Sequence, residues 1–543
     1  MRQVDSLLSN GIFQGLMGLS FLSFLISVWI FCKFKSPDYL PISTSEYSKW
    51  GQKMSTFENN SPHLYPKLPY LPIFPEIENE DVLIHQTLHK NQPTIAGIAA
   101  ILYRFLSALH ESNQQLATNK NQTTSSTNGD NKRNEVEVIR QAYFRLAQEH
   151  LVPLDIAYQG RTIFDVRNDD SIFLSVASFR EHLLADTLMS AFGSATHPEK
   201  LFVGVIVNNC FGLDSKIPCR GSPRVVGQDQ NGRDILEIED GKPDINHIGT
   251  FCGNITFQKY CEQGQVRVFY INETDALGPA VTRYYSSKLW GGETYYCQID
   301  SHLKFANDWD QLYIQDLKLT RNFPKSVLST YPPGFVNFRQ TPPYTPGTRL
   351  CRCQIRANEG FLPRVEMEGR CNETDIRPTQ MAFIGAGFFF ASAKFLLDVP
   401  FDPFLPWLFM GEEIALSIRA WTSGWNIYSP RKNLIGHQYR PLKMHTPHYW
   451  TSVARLFDKP NMVDQVTHSI RKRIKIMIGY PGIEKDEVPN ENDEDDPYRL
   501  SYGLDRYGLG TERSATDYLK FAEIDLEQKT CGPMKWCSEG QLE

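Results

Sequence analysis

The sequence predicts an α/β domain built on a mostly parallel central sheet with flanking helices, set behind a single N-terminal transmembrane helix and a stem. Two short apolar runs, Ile172 to Ala177 and Leu201 to Val207, are separated by an amphipathic helical pattern. Strand, helix, strand with short links is a βαβ unit, which implies parallel pairing and a right-handed crossover. Far upstream, Gly11 to Cys32 carries no charge, and Gln14 is its only strongly polar side chain. The chain between is Pro-rich and then polar, the composition of a spacer.

The first ten residues are expected to be a cytosolic tail, and 11–32 the anchor. At a rise of about 1.5 Å per residue that run spans about 33 Å, enough for the hydrocarbon core. A cleaved signal peptide would have a shorter apolar region and end in a small-x-small site. Here the run ends Trp29-Ile30-Phe31-Cys32-Lys33, so an uncleaved anchor is favoured. Flanking charge does not orient it, because Arg2 and the amino terminus are balanced by Lys33 and Lys35. All five Asn-x-Ser/Thr sequons (Asn59, Asn121, Asn254, Asn272 and Asn372) and ten of the eleven cysteines follow the anchor. With no Cys-x-x-Cys pair, they suit an oxidising lumen better than a zinc site. A cytosolic protein with chance sequons and free thiols is the alternative.

Residues 33–167 read as a stem. It holds Tyr65 to Pro75 (YPKLPYLPIFP) and the polar stretch Glu111 to Asn134, which is expected to be disordered for want of apolar surface to bury. Val136 to Leu151 is a short helical candidate. The globular domain, 168–543, opens with the strand at Ile172, followed by a helix in which Leu184, Leu188 and Phe192 recur at helical spacing. A cysteine-rich insertion, Cys210 to Cys261, interrupts the sheet. Val266 to Ile271 resumes it, Gly278 to Leu289 reads as the next helix, and Thr294 to Asp300 as the next strand. The acidic run 484–496 reads as a solvated loop. A net charge of -6 with both signs mixed gives no reason to expect nucleic acid as partner.

Candidate chemistry collects at strand ends. In Gln298-Ile299-Asp300-Ser301-His302, alternate side chains of an extended chain project together. Asp300 and His302 would then face the crevice at the carboxyl end of the sheet, where open α/β folds bind ligands. A carboxylate with an imidazole suits Mn²⁺ or a similar divalent ion. Alone, Asp-x-His is a common surface triplet, and its place after a buried strand singles it out. Gly411-Glu412-Glu413 starts a helix, where two acids also serve the helix dipole. Gly385-Ala386-Gly387-Phe388 allows close approach of backbone to a ligand, or tight strand packing. Gly436-His437 offers a further imidazole, although a lone histidine of this kind is more often structural.

In order, these pieces resemble the polypeptide N-acetylglucosaminyltransferases, which include the hydroxyproline-modifying enzyme acting on Skp1 and Golgi enzymes acting on mucin-type threonine. The resemblance runs from Ile172 to Asp525 through IFLSVASFR, Ala276-Leu277-Gly278-Pro279 with Arg283, QIDSH, Leu328 to Gly334, Phe401-Asp402-Pro403, GEE, Arg419 to Trp425, Tyr428-Ser429-Pro430 and Gly508-Leu509-Gly510. More distantly, the chain is similar to the polypeptide N-acetylgalactosaminyltransferases of GT-A fold. That resemblance implies Asp300, His302 and His437 as ligands of Mn²⁺ (or Mg²⁺). It implies Ser178, Arg180, Arg283, Asp300 and Gly387 at the nucleotide sugar, and Glu412 or Glu413 in catalysis. The implied donor is UDP-GlcNAc, the acceptor a protein or glycoprotein bearing a Thr, Ser or hydroxyproline hydroxyl, the outcome retention, and the location a Golgi membrane in type II orientation. A ricin-like lectin domain is not expected after Asp525. The rivals are UDP-GalNAc or another UDP-hexose as donor, and an inactive Golgi glycoprotein-binding protein on the same fold. Intact Asp300, His302, Glu412, Glu413 and His437 weigh against the last.

Overall fold

The computed structural model describes residues 79–118, 129–212, 219–228, 234–241, 243–372, 375–439, 462–483 and 498–541. The apolar run 11–32, the Pro-rich stretch and the acidic run 484–496 lie outside these residues. No helix among the described residues is long and apolar enough to cross a membrane.

The elements that matter below are, in chain order, helices α1 (Glu80–His89), α2 (Ile95–Thr118), α3 (Gly129–His150) and α4 (Val152–Ala157), then β1 (Ile172–Phe179), α5 (Leu184–Ser194), β2 (Leu201–Asn209) and β3 (Val266–Asn272). They continue with α6 (Pro279–Lys288), β4 (Tyr295–Ile299), β5 (Leu303–Phe305), α7 (Trp309–Leu319), β6 (Ser326–Ser329), β7 (Thr379–Met381) and β8 (Phe388–Ser392). The last are α8 (Glu412–Thr422), β9 (Asn426–Ser429), β10 (Ile435–His437), α9 (Met462–Ile478) and α10 (Ala515–Phe521). Eight strands form one sheet in the order β7-β9-β6-β8-β4-β1-β2-β3. The half β4-β1-β2-β3 is parallel throughout, as the βαβ pattern predicts. Strand β8 enters antiparallel between β4 and β6, and β7 is antiparallel to β9, so the sheet is mixed.

Every residue of β1 from Ile172 to Val176 is buried because both faces of the sheet are covered. Ile172, Leu174 and Val176 point to one face, into a core with Leu184, Leu188 and Phe192 of α5 and with Trp309, Tyr313 and Leu317 of α7. On the other face the Ser175 hydroxyl donates to Ser286 of α6 at 2.8 Å. Phe173 lies so close to β2 that a Cβ on Gly204 would stand 2.3 Å from its ring. Only glycine permits that contact.

Beyond α6 the structure departs from the expected stem, because the described helices α2 and α3 pack against the sheet domain. Ile98, Leu102, Phe105, Leu106 and Leu109 of α2 are at most 2% exposed. Tyr103 packs on Phe269 of β3 with ring centroids 4.3 Å apart, and the Tyr143 hydroxyl donates to the carbonyl of Pro403. The polar stretch expected to be disordered is helical in both of its described parts, as the end of α2 and the start of α3. An apolar stripe nucleates α2, and the helix then carries the polar residues that follow it. One of those, Asn113, is buried and donates to Asp275 after β3 at 3.2 Å.

Disulfides Cys210–Cys219 and Cys252–Cys261 close two small loops in the insertion. Cys351–Cys537 and Cys353–Cys531 tie the last residues to the middle of the domain. Cys297 and Cys371 are buried free thiols.

Candidate active site

The register of β1 with β4 (Val176 opposite Ile299) brings the carboxyl ends of the parallel strands to one edge. Asp300 follows β4 there. Strand β8 runs the opposite way, so its amino end arrives at the same edge, and the Asp300 N–H donates to the Gly387 carbonyl at 3.2 Å. A Cβ on Gly387 would stand 2.9 Å from Asp300 Oδ2, so any side chain there would crowd the carboxylate.

A second ladder brings His437 to the site. Strand β10 pairs antiparallel with β5, with His437 opposite Leu303. His437 Nε2 lies 3.2 Å from Asp300 Oδ2 and 3.0 Å from His302 Nε2. One ligand atom from each of Asp300, His302 and His437 falls within 4.8 Å of the others. The expected Asp300–His302 pair is thus joined by the third residue proposed from sequence. One oxygen and two imidazole nitrogens fit a divalent transition ion such as Mn²⁺. The other nitrogen of His302, Nδ1, lies 2.9 Å from Glu181 Oε2. That contact orients the ring and turns Nε2 toward the cluster. Glu181 was missed in the sequence, where its only signal is its place just past the end of β1.

Behind the cluster, Arg283 of α6 reaches Asp300 Oδ1 at 3.3 Å and forms a buried ion pair with Glu412. Burial alone would raise the Asp300 carboxyl. The His437 hydrogen bond and the charges of Arg283 and His302 outweigh it and hold Asp300 well below the usual carboxylate range. Burial pushes Glu412 up despite its pairing with Arg283. Glu413 is pushed up to about 7, again mainly by burial. Its carboxyl accepts the Ala386 N–H at 2.9 Å and the Tyr331 hydroxyl at 2.7 Å. Tyr331 falls within the Leu328 to Gly334 run of the resemblance, which attached no role to it.

Residues 171–528 match the model of the family described as Glycosyltransferase (GlcNAc), well over half of the chain. The chain belongs to the GlcNAc glycosyltransferase family. No curated protein matches it. Among solved structures it is similar to GalNAc-T7 with UDP, GalNAc and Mn2+, at 14% identity and a TM-score of 0.35, over 66% of this chain and 58% of that one. It is also similar to S. aureus TarS 1-349 in complex with UDP-GlcNAc, at 13% identity and a TM-score of 0.28, over 59% of this chain and 77% of that one. The chain thus spans less than two thirds of the GalNAc-T7 structure.

In this GlcNAc glycosyltransferase family member not every expected site residue reaches the cluster. Arg180 is held by Asp244 and Glu273, with its side chain 2% exposed, and clamps the end of β1 to the insertion and to the loop after β3. Ser178 is buried at that strand end, and among the described residues its hydroxyl has no hydrogen-bond partner. Asp300, His302, His437, Arg283, Gly387 and Glu412 form one contiguous group. Glu413 borders it through Ala386.

Proposed function

We propose that the chain transfers N-acetylglucosamine from UDP-GlcNAc to hydroxyl groups of protein acceptors (Thr, Ser or hydroxyproline), with retention, as a single-pass type II protein of the Golgi membrane. The observation that carries the donor half is the convergence of Asp300, His302 and His437 beside Arg283, inside the family-matched region. In this reading Asp300, His302 and His437 hold Mn²⁺ or Mg²⁺. A bound ion of that kind supplies Lewis acidity for a diphosphate leaving group.

The chain's own groups do the rest. Glu412 grips Arg283 and so fixes a guanidinium next to Asp300, which makes Glu412 a positioning residue. Arg283 supplies fixed positive charge where UDP would gain negative charge on leaving. Glu413, at the edge of the group, orients sugar or acceptor. Retention follows from a front-face route in which the departing phosphate takes the acceptor proton. The single apolar run at 11–32 and the sequons after it support the membrane topology.

The test uses the full chain with UDP-GlcNAc, UDP-GalNAc and an acceptor peptide library, with and without chelator. Asp300→Ala and His302→Ala are expected to abolish transfer while circular dichroism stays unchanged, and chelator should do the same to the wild type. An Asp300→Ala protein that keeps near-normal transfer in chelator would overturn the site. A large diaxial coupling at the new anomeric proton would overturn retention. Faster transfer from UDP-GalNAc would replace the donor. Protease digestion of the globular domain in intact microsomes would end the lumenal reading.

A further inference from the structure

Helix α9 buries Val466, Ile470 and Ile474 and leaves Arg471, Lys472 and Lys475 partly exposed on its other side. Against it lies the turn at Gly360-Phe361. Lys529 Nζ stands 4.3 Å and Lys475 Nζ 5.9 Å from the centroid of the Phe361 ring, so two ammonium groups lie near one aromatic ring. Arg471 Cδ is 2.9 Å from where a Cβ on Gly360 would be. Like charges this close repel one another. Burial, then Lys529, Lys472 and Arg471, lowers the Lys475 ammonium, and the same neighbourhood lowers His468. Among the described residues, Lys472, Lys475 and Lys529 make no ion pair. On a chain of net charge -6, this is a concentration of unpaired positive charge against the general trend.

The cluster also adjoins the candidate site. A Cβ on Gly411 would stand 2.7 Å from Leu362 and 3.0 Å from Ile474. Leu362 follows Phe361, Ile474 precedes Lys475, and Gly411 precedes Glu412. The basic surface therefore begins one residue away from the packing that supports Glu412 and Glu413.

We propose that the cluster centred on Phe361, Lys475 and Lys529 docks an acidic stretch of the acceptor polypeptide, flanking the hydroxyl that is modified. This rests on the transferase reading above. Charge complementarity selects the partner, because an acidic segment would relieve the mutual repulsion of the cations. Continuity with Glu412 and Glu413 places that segment on a molecule whose hydroxyl enters the site. Rim charges of this kind act through steering and salt-sensitive affinity more than through buried contact.

The full chain is titrated with two labelled peptides that share a central Thr, one flanked by Asp and Glu, the other by Asn and Gln. The acidic peptide is expected to bind about fivefold or more tightly at low salt, with the difference shrinking toward about 0.5 M salt as screening sets in. Lys475→Glu with Lys529→Glu should erase the preference, and the two Arg replacements should keep it. Hydrolysis of UDP-GlcNAc and the thermal midpoint should not change in either variant. A wild type with no preference, or a Glu variant that retains it, overturns the proposal. Binding of phosphatidylserine vesicles by the wild type, lost in the Glu variant with no peptide preference, would assign the cluster to a lipid surface instead. Amide replacement of the acids in 484–496 that restores binding of the neutral peptide to parity would assign it to the chain's own acidic run. Absence of any UDP-GlcNAc turnover would sink the donor reading, while the peptide titration, done without donor, would still judge the cluster.

Discussion

Glu181 touches none of the proposed ligand atoms, yet it sets how one of them is presented. Burial would raise its carboxyl, and the hydrogen bond with His302 outweighs that and keeps it low. Outer partners of this type usually account for about 10- to 100-fold in metal affinity. Glu181→Ala is expected to weaken Mn²⁺ binding by about that much, read by electron paramagnetic resonance titration. Glu181→Gln still accepts from His302 Nδ1 and should lose less. Equal Mn²⁺ affinity in wild type and Glu181→Ala would remove Glu181 from this role. Glu413 gives a different signature. Its folded carboxyl is pushed up to about 7, above an unfolded value of about 4.3. The contribution to stability is therefore full below about pH 4 and is lost as pH rises through about 7. Glu413→Gln can accept from Ala386 and donate to Tyr331. Its melting temperature should match the wild type near pH 5 and exceed it at pH 8 by a shift equivalent to about 1 kcal/mol or more. A difference independent of pH would show that Glu413 titrates normally.

Legibility in the sequence varied from element to element for physical reasons. Strands β1, β2 and β4 were readable because parallel strands buried on both faces are unbroken apolar runs. Their order fixed the edge where Asp300 sits. The β5–β10 ladder was not readable, since it is three residues long on each side and its halves lie more than a hundred residues apart. From the residues alone His437 was accordingly no more than a further imidazole, which the resemblance joined to Asp300 and His302. Tyr331 fell inside the Leu328 to Gly334 run with no role attached, and Glu181 was not reached at all. Helices α2 and α3 were misassigned to a stem for a related reason. Their polar ends dominated the composition, while the rings of Phe269 and Tyr285 and the Pro403 carbonyl that receive them lie far downstream. The family match begins at Ser171, after all four of the early helices. Phe105 is fully buried between Tyr143 and Tyr285. Phe105→Ala should destabilise the catalytic domain by about 3–5 kcal/mol in chemical denaturation. A stem that stood apart from the sheet would leave the domain's unfolding midpoint untouched.

At the scale of the whole molecule, Cys351–Cys537 and Cys353–Cys531 span 186 and 178 residues and lie side by side. Either one closes the long loop, so losing one reopens only a small ring. Replacing one pair by Ser should cost about 2 kcal/mol, and replacing both should cost about three times that, more than the sum of the single losses. Strict additivity in urea titrations would show that the two bonds do not share one loop. The placement of the early helices has a consequence in time. Tyr143 meets its partner carbonyl 260 residues later, and Arg140 bonds to the Tyr498 carbonyl 358 residues later. At about 5–20 residues per second, roughly 13 to 50 s of synthesis separate Tyr143 from Pro403. Through that interval the apolar stripe of α2 has neither Phe269 nor Tyr285 to cover it during the early part, and α3 lacks Pro403 throughout. The nascent chain therefore presents a client surface for holding chaperones well before the sheet exists to receive it.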